Sequence, residues 1–383
     1  MKKIFVIAGE LSGDRTAAWY VQKKKKEFKR GRSPLPPPEK TFQEPDYWEG
    51  VGGDFMQQAG VKLFARFEKL NVVGITEIIL HLPRILRMLN QLVDHIVTQK
   101  FDEVVLVDFP GFNLRIAGKL KKKLPNIKIT YVSPPQLWCW GAWRVKKIKS
   151  LCDTVVVMYP FEVAWYQQHG VKALWLGCPA YDALTSYMPN DQSSKPIHQD
   201  IADHPVIALI PGSRHAEIER FLPLMAEVAQ EIYEKYPHVH FIMPLAQSLS
   251  EEFMQEQLEK VGLLAKNIPL VLVRGEHEKY TQLRACSLAI TKPGTVTLEL
   301  ALLGVPAVVF FKISWITYRL AQLLAKVKDM ALPNLLLEKV VYPECIQQHC
   351  TAQEIVHQAD HIMCVGHDDI EEDLTILRKS LKH

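Results

Sequence analysis

The chain has 383 residues, 48% of them apolar and 23% charged, enough material for sizeable cores and, at ~150 residues per domain, for two domains or three. Its 19 glycines and 24 prolines fall well short of the ~25–30% share that marks low-complexity chains, which excludes a fibrous or largely disordered protein. A formal net charge of +4 imposes no overall polycation and leaves only local basic clusters.

Taken in chain order, the first element is a short strand. Residues Lys3–Ala8 hold five consecutive apolar side chains and run straight into Gly9-Glu10-Leu11-Ser12-Gly13-Asp14. The run is too short for a secretory segment and lacks its small-residue cleavage site. Seven basic residues follow between Lys23 and Arg32, then prolines at 34, 36, 37 and 38, so a basic helix end leading into a stiff surface loop is expected. Ile85, Met88, Leu89, Leu92, Val93 and Ile96 recur at helical spacing, preceded by an apolar stretch that Glu77, His81, Pro83, Arg84 and Arg87 interrupt. Two readings of that stripe stay open: a core-facing helix, or a segment lying on a membrane or capturing acyl chains. Glu103–Asp108, Ile127–Val132 and Thr154–Met158 are expected as buried strands, with helices over Leu114–Lys123 and Arg144–Leu151.

Residues 187–204 are polar and rich in Asn, Asp, Ser and Pro, the composition of a linker. The alternation restarts with strands over Pro205–Ile210, His240–Met243, Leu270–Val273, Leu288–Ile290 and Pro306–Phe310, and helices near 215–235, 250–263 and 295–303. Continuous apolar strands separated by helices predict parallel sheets covered on both faces. The expected fold is α/β, two doubly wound Rossmann-like domains facing a cleft. The first spans 1–186, a linker 187–204, the second 205–350, and a helical segment 351–383 can pack back on either domain, the N-terminal one included. No uncharged apolar run reaches the ~18–20 residues of a bilayer span. The seven cysteines are scattered, and Cys345 with Cys350 lacks a second pair at zinc-like spacing, so structural thiols in a reducing cytoplasm are expected.

Five segments carry chemistry. The loop Gly9–Asp14 follows the first strand, where backbone N–H groups meet ligands, but it is not G-x-G-x-x-G and reads equally as a tight turn. Asp108 ends a strand beside Phe109 and Phe112, a setting that raises a carboxylate's pKa toward that of a general base, or else it caps the next helix. Trp138, Trp140 and Trp143 lead into Arg144, Lys146, Lys147 and Lys149, a possible floor for a sugar or lipid. Gly212, Ser213 and Arg214 turn a strand into a helix where a phosphate can bind, and Gly294 with Thr295 repeats the device. Glu299 stands within reach of vicinal hydroxyls such as those of a ribose, and two such loops in one domain point to a nucleotide diphosphate. There is no Walker loop and no D-x-D triplet for a metal on a nucleotide sugar.

These segments, in this order, resemble the bacterial lipid-A-disaccharide synthase family of GT-B glycosyltransferases. The matching pieces are GELSGD at 9–14, VGGDFMQQAG at 51–60, NVVGITEII at 71–79, VDFPGFN at 107–113 and YVSPPQLWCWGAWRVKKIK at 131–149. PFE at 160–162, LIPGSRHAEI at 209–218, TKPGTVTLELALLGVPAVV at 291–309 and LPNLLLEK at 332–339 complete the set.

The resemblance implies inverting transfer from UDP-2,3-diacylglucosamine to the 6-hydroxyl of 2,3-diacylglucosamine 1-phosphate, giving a β-1,6 disaccharide and UDP. Asp108 would be the base and Arg214 would meet the leaving diphosphate, with Gly212, Ser213, Gly294 and Thr295. Glu299 would hold ribose and Asn334 would lie near the nucleotide. Glu10, Ser12, Asn113 and Trp138 fall on the acceptor side. No cofactor, metal or nucleic acid is implied; the partners are the two acylated sugars and the cytoplasmic face of the inner membrane, with the oligomeric state open. Three departures stand out: Cys178 where the family loop commonly reads G-H-P, Pro293 before the second-domain glycine, and an insertion at 23–45. Two other classes remain, another UDP-sugar enzyme of this fold (a peptidoglycan-type transferase or an epimerase) and a non-catalytic binder of anionic membrane or nucleic acid through Lys23–Arg32.

Overall fold

A computed structural model describes residues 2–29, 47–67, 75–187, 204–264, 267–315, 318–319, 329–365 and 368–382. The chain divides into two compact units, Met1–Pro179 and Ala180–Lys382.

The first unit is built on seven parallel strands: β1 (Lys3–Ala8), β2 (Tyr47–Gly52), β3 (Lys62–Arg66), β4 (Glu103–Val107), β5 (Lys128–Val132), β6 (Thr154–Val157) and β7 (Ala173–Trp175), in the order β3-β2-β1-β4-β5-β6-β7. Alternate residues of a strand point to opposite faces. Phe5 and Ile7 accordingly join Leu92, Ile116 and Ile148 in one core, while Ile4, Val6 and Ala8 join Ala17, Val21 and Met56 in the other. The helices on these faces include α1 (Leu11–Lys29), α2 (Asp54–Gln58), α3 (Ile75–Thr98), α4 (Pro110–Lys123), α5 (Val145–Leu151) and α6 (Pro160–Gln168). For the stripe on α3 the core reading holds over Leu89, Leu92, Val93 and Ile96, which are buried. Its upstream part, 71–74, lies outside the described residues, as do the side chains to residue 85.

In this unit three strands, β2, β3 and β7, escape the pattern of apolar runs. In β2 the reason is Gly50, where a Cβ would stand 2.0 Å from the Val6 carbonyl oxygen. Close approach to β1 demands the residue that breaks the apolar run. β3 is an edge strand with mostly exposed residues, and β7 has only three.

The second unit holds six parallel strands, β8 (Val206–Ile210), β9 (His240–Pro244), β10 (Leu270–Val273), β11 (Leu288–Thr291), β12 (Ala307–Phe311) and β13 (Glu344–Ile346), ordered β10-β9-β8-β11-β12-β13. Helices α7 (Pro179–Tyr187), α8 (His215–Lys235), α9 (Glu251–Lys260), α10 (Glu276–Arg284), α11 (Thr295–Leu303), α12 (Leu332–Leu337), α13 (Ala352–Val365) and α14 (Asp368–Leu381) accompany it. The division between units falls before the expected joint because the end of α7 belongs to the second unit, where Tyr187 packs on Tyr280 at 5.7 Å. Most of the expected linker, 188–203, lies outside the described residues. The terminal segment lies in the second unit rather than the first: Ile355, Ala359 and Ile362 of α13 enter its core beside Phe221 and Phe310, and α14 packs on α11. Burial pushes the Cys152 and Cys345 thiols up to about 12, as expected of structural thiols.

Candidate active site

In a doubly wound sheet, ligands bind beyond the strand C-termini where the strand order reverses. In the first unit that point lies between β1 and β4, and the loops carrying Glu10 and Asp108 follow those two strands. The strand ends at Val107, because Asp108 and Phe109 both take left-handed backbone, each at φ 46. Two successive non-glycine residues in this region are strained and need outside support. Asn113 supplies it: its fully buried amide donates to the carbonyls of Val107 at 3.0 Å and Asp108 at 2.8 Å. The Tyr131 hydroxyl donates to the same Asp108 carbonyl at 2.9 Å. Phe109 lies across Gly9, where a Cβ would come within 2.4 Å of its ring. Burial and, next, the charge of Glu10 raise the Asp108 carboxyl above its ordinary pKa, against a backbone hydrogen bond from Phe109. The result is a carboxylate on strained backbone with its pKa raised, the setting in which a general base is found.

Glu10 also accepts a hydrogen bond from Ser12 at 2.7 Å. Asp14, in contrast, is fully buried and accepts from the backbone N–H groups of Gly53 (2.7 Å), Phe55 (3.0 Å) and Met56 (3.2 Å), capping α2 from another segment. The tryptophan loop divides by exposure. Trp138 is half-buried, its indole donates to Glu162 at 2.9 Å, and its ring meets Phe161 edge-on at 5.0 Å. Trp140 and Trp143 are 43% and 74% exposed, with the Arg144 guanidinium 5.3 Å above the Trp140 ring.

The reversal in the second unit lies between β8 and β11, again where the two glycine loops emerge. Gly212 has φ 148, and a Cβ there would strike Glu217 at 2.5 Å. Glu217 accepts from the Ser213 N–H at 2.9 Å and meets Lys292 of the other loop at 3.2 Å, so one carboxylate ties both loops together. Burial works to raise its pKa, but the Ser213 N–H and Lys292 prevail and hold it below the ordinary value. Gly294, at φ 153, opens α11 without a side-chain cap, and Thr295 is exposed at its first position. That leaves N–H groups and the positive helix end for an anion. Arg214 is exposed and 3.8 Å from Glu217.

A family model described as lipid-A-disaccharide synthetase matches residues 4–376 of the chain. Lipid-A-disaccharide synthases from Trichlorobacter lovleyi and Nitrosococcus oceani are 33% and 32% identical over 94% of the chain, covering 88% and 87% of those proteins. The chain belongs to the lipid-A-disaccharide synthase family. Among solved structures, UDP-GlcNAc 2-epimerases from Neisseria meningitidis, bound to UDP-GlcNAc, and Methanocaldococcus jannaschii, with UDP-GlcNAc and UDP, superpose with TM-scores of 0.64 and 0.56. They cover 98% and 99% of this chain, which covers 94% and 99% of theirs, and at 12% identity they show the shared doubly wound fold alone.

Several of the expected site residues also make contacts inside the fold. Asn334 has no exposed surface. Its amide donates to Tyr342 O and Glu344 and accepts from the N–H groups of Val341 and Tyr342, all at 2.8–3.0 Å. With its bonds made inside the fold, it acts by positioning that turn. Glu299 keeps its place beside the Gly294 loop, but one oxygen is 3.0 Å from Lys279. Burial alone would lower the Lys279 pKa; Glu299, Tyr280 and Glu276 overcome it and keep the ammonium charged. Cys178, in place of the family histidine, is buried. Among the described residues, no group of three or more His, Cys, Asp or Glu is placed to hold a metal ion.

Glu162, Glu217, Lys279 and Lys292 contact the candidate site residues or their loops and escaped sequence reasoning. The first two had a faint signal, an acidic residue at the third or fourth position after a strand-to-helix turn, where a capping box or anion loop is closed. For Lys279 the neighbouring Glu276 gives no hint of the site, since the contact that places it there is with Glu299, 20 residues away.

Proposed function

We propose that the chain transfers 2,3-diacylglucosamine from its UDP donor to the 6-hydroxyl of 2,3-diacylglucosamine 1-phosphate, with inversion at the anomeric carbon. The observation that carries this reading is Asp108: a strained, half-buried carboxylate of raised pKa at the switch point, in a chain of this family. In a single displacement Asp108 takes the 6-hydroxyl proton as that oxygen bonds to the donor's C1. The C1–O bond to UDP breaks and its electron pair stays on the β-phosphate. Arg214, the Ser213 hydroxyl and the helix end at Gly294 and Thr295 meet that growing charge, a kind of preorganised contact worth ~2.7–4 kcal/mol per donor. Glu299 serves the ribose, while Glu10, Ser12, Asn113 and Trp138 shape the acceptor side. The test is a turnover assay with both acylated sugars: UDP and disaccharide are expected only when both are present. Release of UDP with one sugar alone, or epimerisation of the donor, would reject the reading.

Acylated substrates bring a lipid surface into the reading, at the cytoplasmic face of the inner membrane. No helix among the described residues is long and apolar enough to cross a membrane. The exposed pair Trp140 and Trp143, beside Lys146 and Lys147 on α5, has the composition of an interfacial contact, aromatic rings next to cations. Replacing both tryptophans with serine is expected to weaken association with anionic phospholipid vesicles about tenfold. Cosedimentation measures this, and undiminished binding would move the contact elsewhere.

A further inference from the structure

Resting on the nucleotide role of the second-unit loops, we propose that Lys292 is a further diphosphate-binding residue and that Glu217 orients it. The Lys292 ammonium lies 3.2 Å from Glu217 Oε1 and 3.4 Å from the Pro293 carbonyl. It is also 4.0 Å from the point where a Cβ on Gly294 would stand. The lysine is therefore folded over the start of α11, not extended into solvent, and its side chain is only 19% exposed.

A cation at a helix N-terminus faces the positive end of the macrodipole, an unfavourable placement unless an anion is shared between them. Glu217 offsets part of that cost. Yet its single carboxylate also serves the Ser213 N–H at 2.9 Å and faces Arg214 at 3.8 Å. Two cations, Lys292 and Arg214, thus face one carboxylate between a glycine turn and an uncapped helix end, an arrangement open to an anion. A nucleoside diphosphate is the ligand chemistry that matches it: an anion long enough to touch both loops, with a second phosphate to use the extra cation. Glu217 prepares the site by removing rotamer freedom that a lysine would otherwise lose on binding. Gly212 makes room for that carboxylate, since any Cβ would overlap it.

The experiment is titration calorimetry of the full chain with UDP and UMP, which differ by the one phosphate in question. Lys292→Met is expected to weaken UDP about tenfold and UMP less than about threefold, the scale of one charge-assisted contact. Lys292→Arg should keep most of the preference for UDP, which a packing role for the aliphatic stem would not predict. Glu217→Gln, which keeps the Ser213 hydrogen bond but not the charge, is expected to reduce the UDP-to-UMP preference about threefold. Equal losses for UDP and UMP in Lys292→Met, or none, would overturn the assignment of Lys292, and a stronger preference in Glu217→Gln would overturn its orienting role. A wild-type chain that binds UDP no better than UMP would likewise overturn the diphosphate assignment, and one that binds neither would instead remove the nucleotide reading, and this inference with it.

Discussion

Asp108→Asn is expected to lower kcat for disaccharide formation by about 10²–10⁴-fold, the contribution of a positioned general base, while the thermal unfolding midpoint stays level or rises. Asparagine tolerates left-handed backbone better than most residues, so the φ of 46 at this position survives the change. The anchors from Asn113 and Tyr131 reach the residue's carbonyl, not its side chain, and survive too. What is lost is the proton acceptor. The stability effect follows from the direction of the pKa shift. Burial and Glu10 raise the carboxyl in the folded chain, so between the unfolded value of ~3.9 and the raised one the native state holds more protons than the unfolded state. Stability therefore falls as pH rises through that window, and the full penalty stands above it. Asparagine carries no such penalty, and its advantage should grow with pH across the same window. In the wild-type enzyme the acid limb of the pH–rate profile should lie above the ordinary carboxylate range and move down in Glu10→Gln. Full turnover in Asp108→Asn would remove Asp108 as the base.

Asn334→Leu is expected to be the most damaging to the fold, on the order of 3–5 kcal/mol, with a midpoint roughly 10 °C lower. The substitution leaves the N–H groups of Val341 and Tyr342, the Tyr342 carbonyl and Glu344 without the partner each has now. Val341 and Tyr342 are buried where water cannot replace it. Glu344 adds to the loss, since it also accepts from the backbone N–H groups of Met330 and Ala331 at 2.8–3.0 Å and burial has already raised its pKa. At low temperature, where the variant stays folded, UDP affinity should change far less than the midpoint does. A midpoint within about 2 °C of wild type, beyond the scatter of surface changes, would contradict the positioning role.

The strands with dense apolar runs were legible because each side chain's burial is written in its own type. β1, β4, β5, β6 and β8 to β12 all fall where the runs are, as does the doubly wound class. The two ligand-facing edges were legible as well: Asp108, Gly212 and Gly294 stand at strand ends, and a turn residue after a strand is a local signal. β2 was hidden by the glycine its neighbour requires, and β13 by being three residues long.

What the chain's own order determined, then, is the class of fold, the loops that bear the chemistry and, through its motifs, the family. Only the tertiary structure decided which polar groups are engaged inside the fold, and with which partners. Asp14 caps a helix 39 residues away, Glu162 holds an indole 24 residues away, and Glu217 joins two loops on different strands. Burial turns each of these acids into an obligation for some partner, because a buried charge without hydrogen bonds is too costly to keep. The identity of that partner depends on which segments the sheet brings side by side, and no local pattern of residues records it.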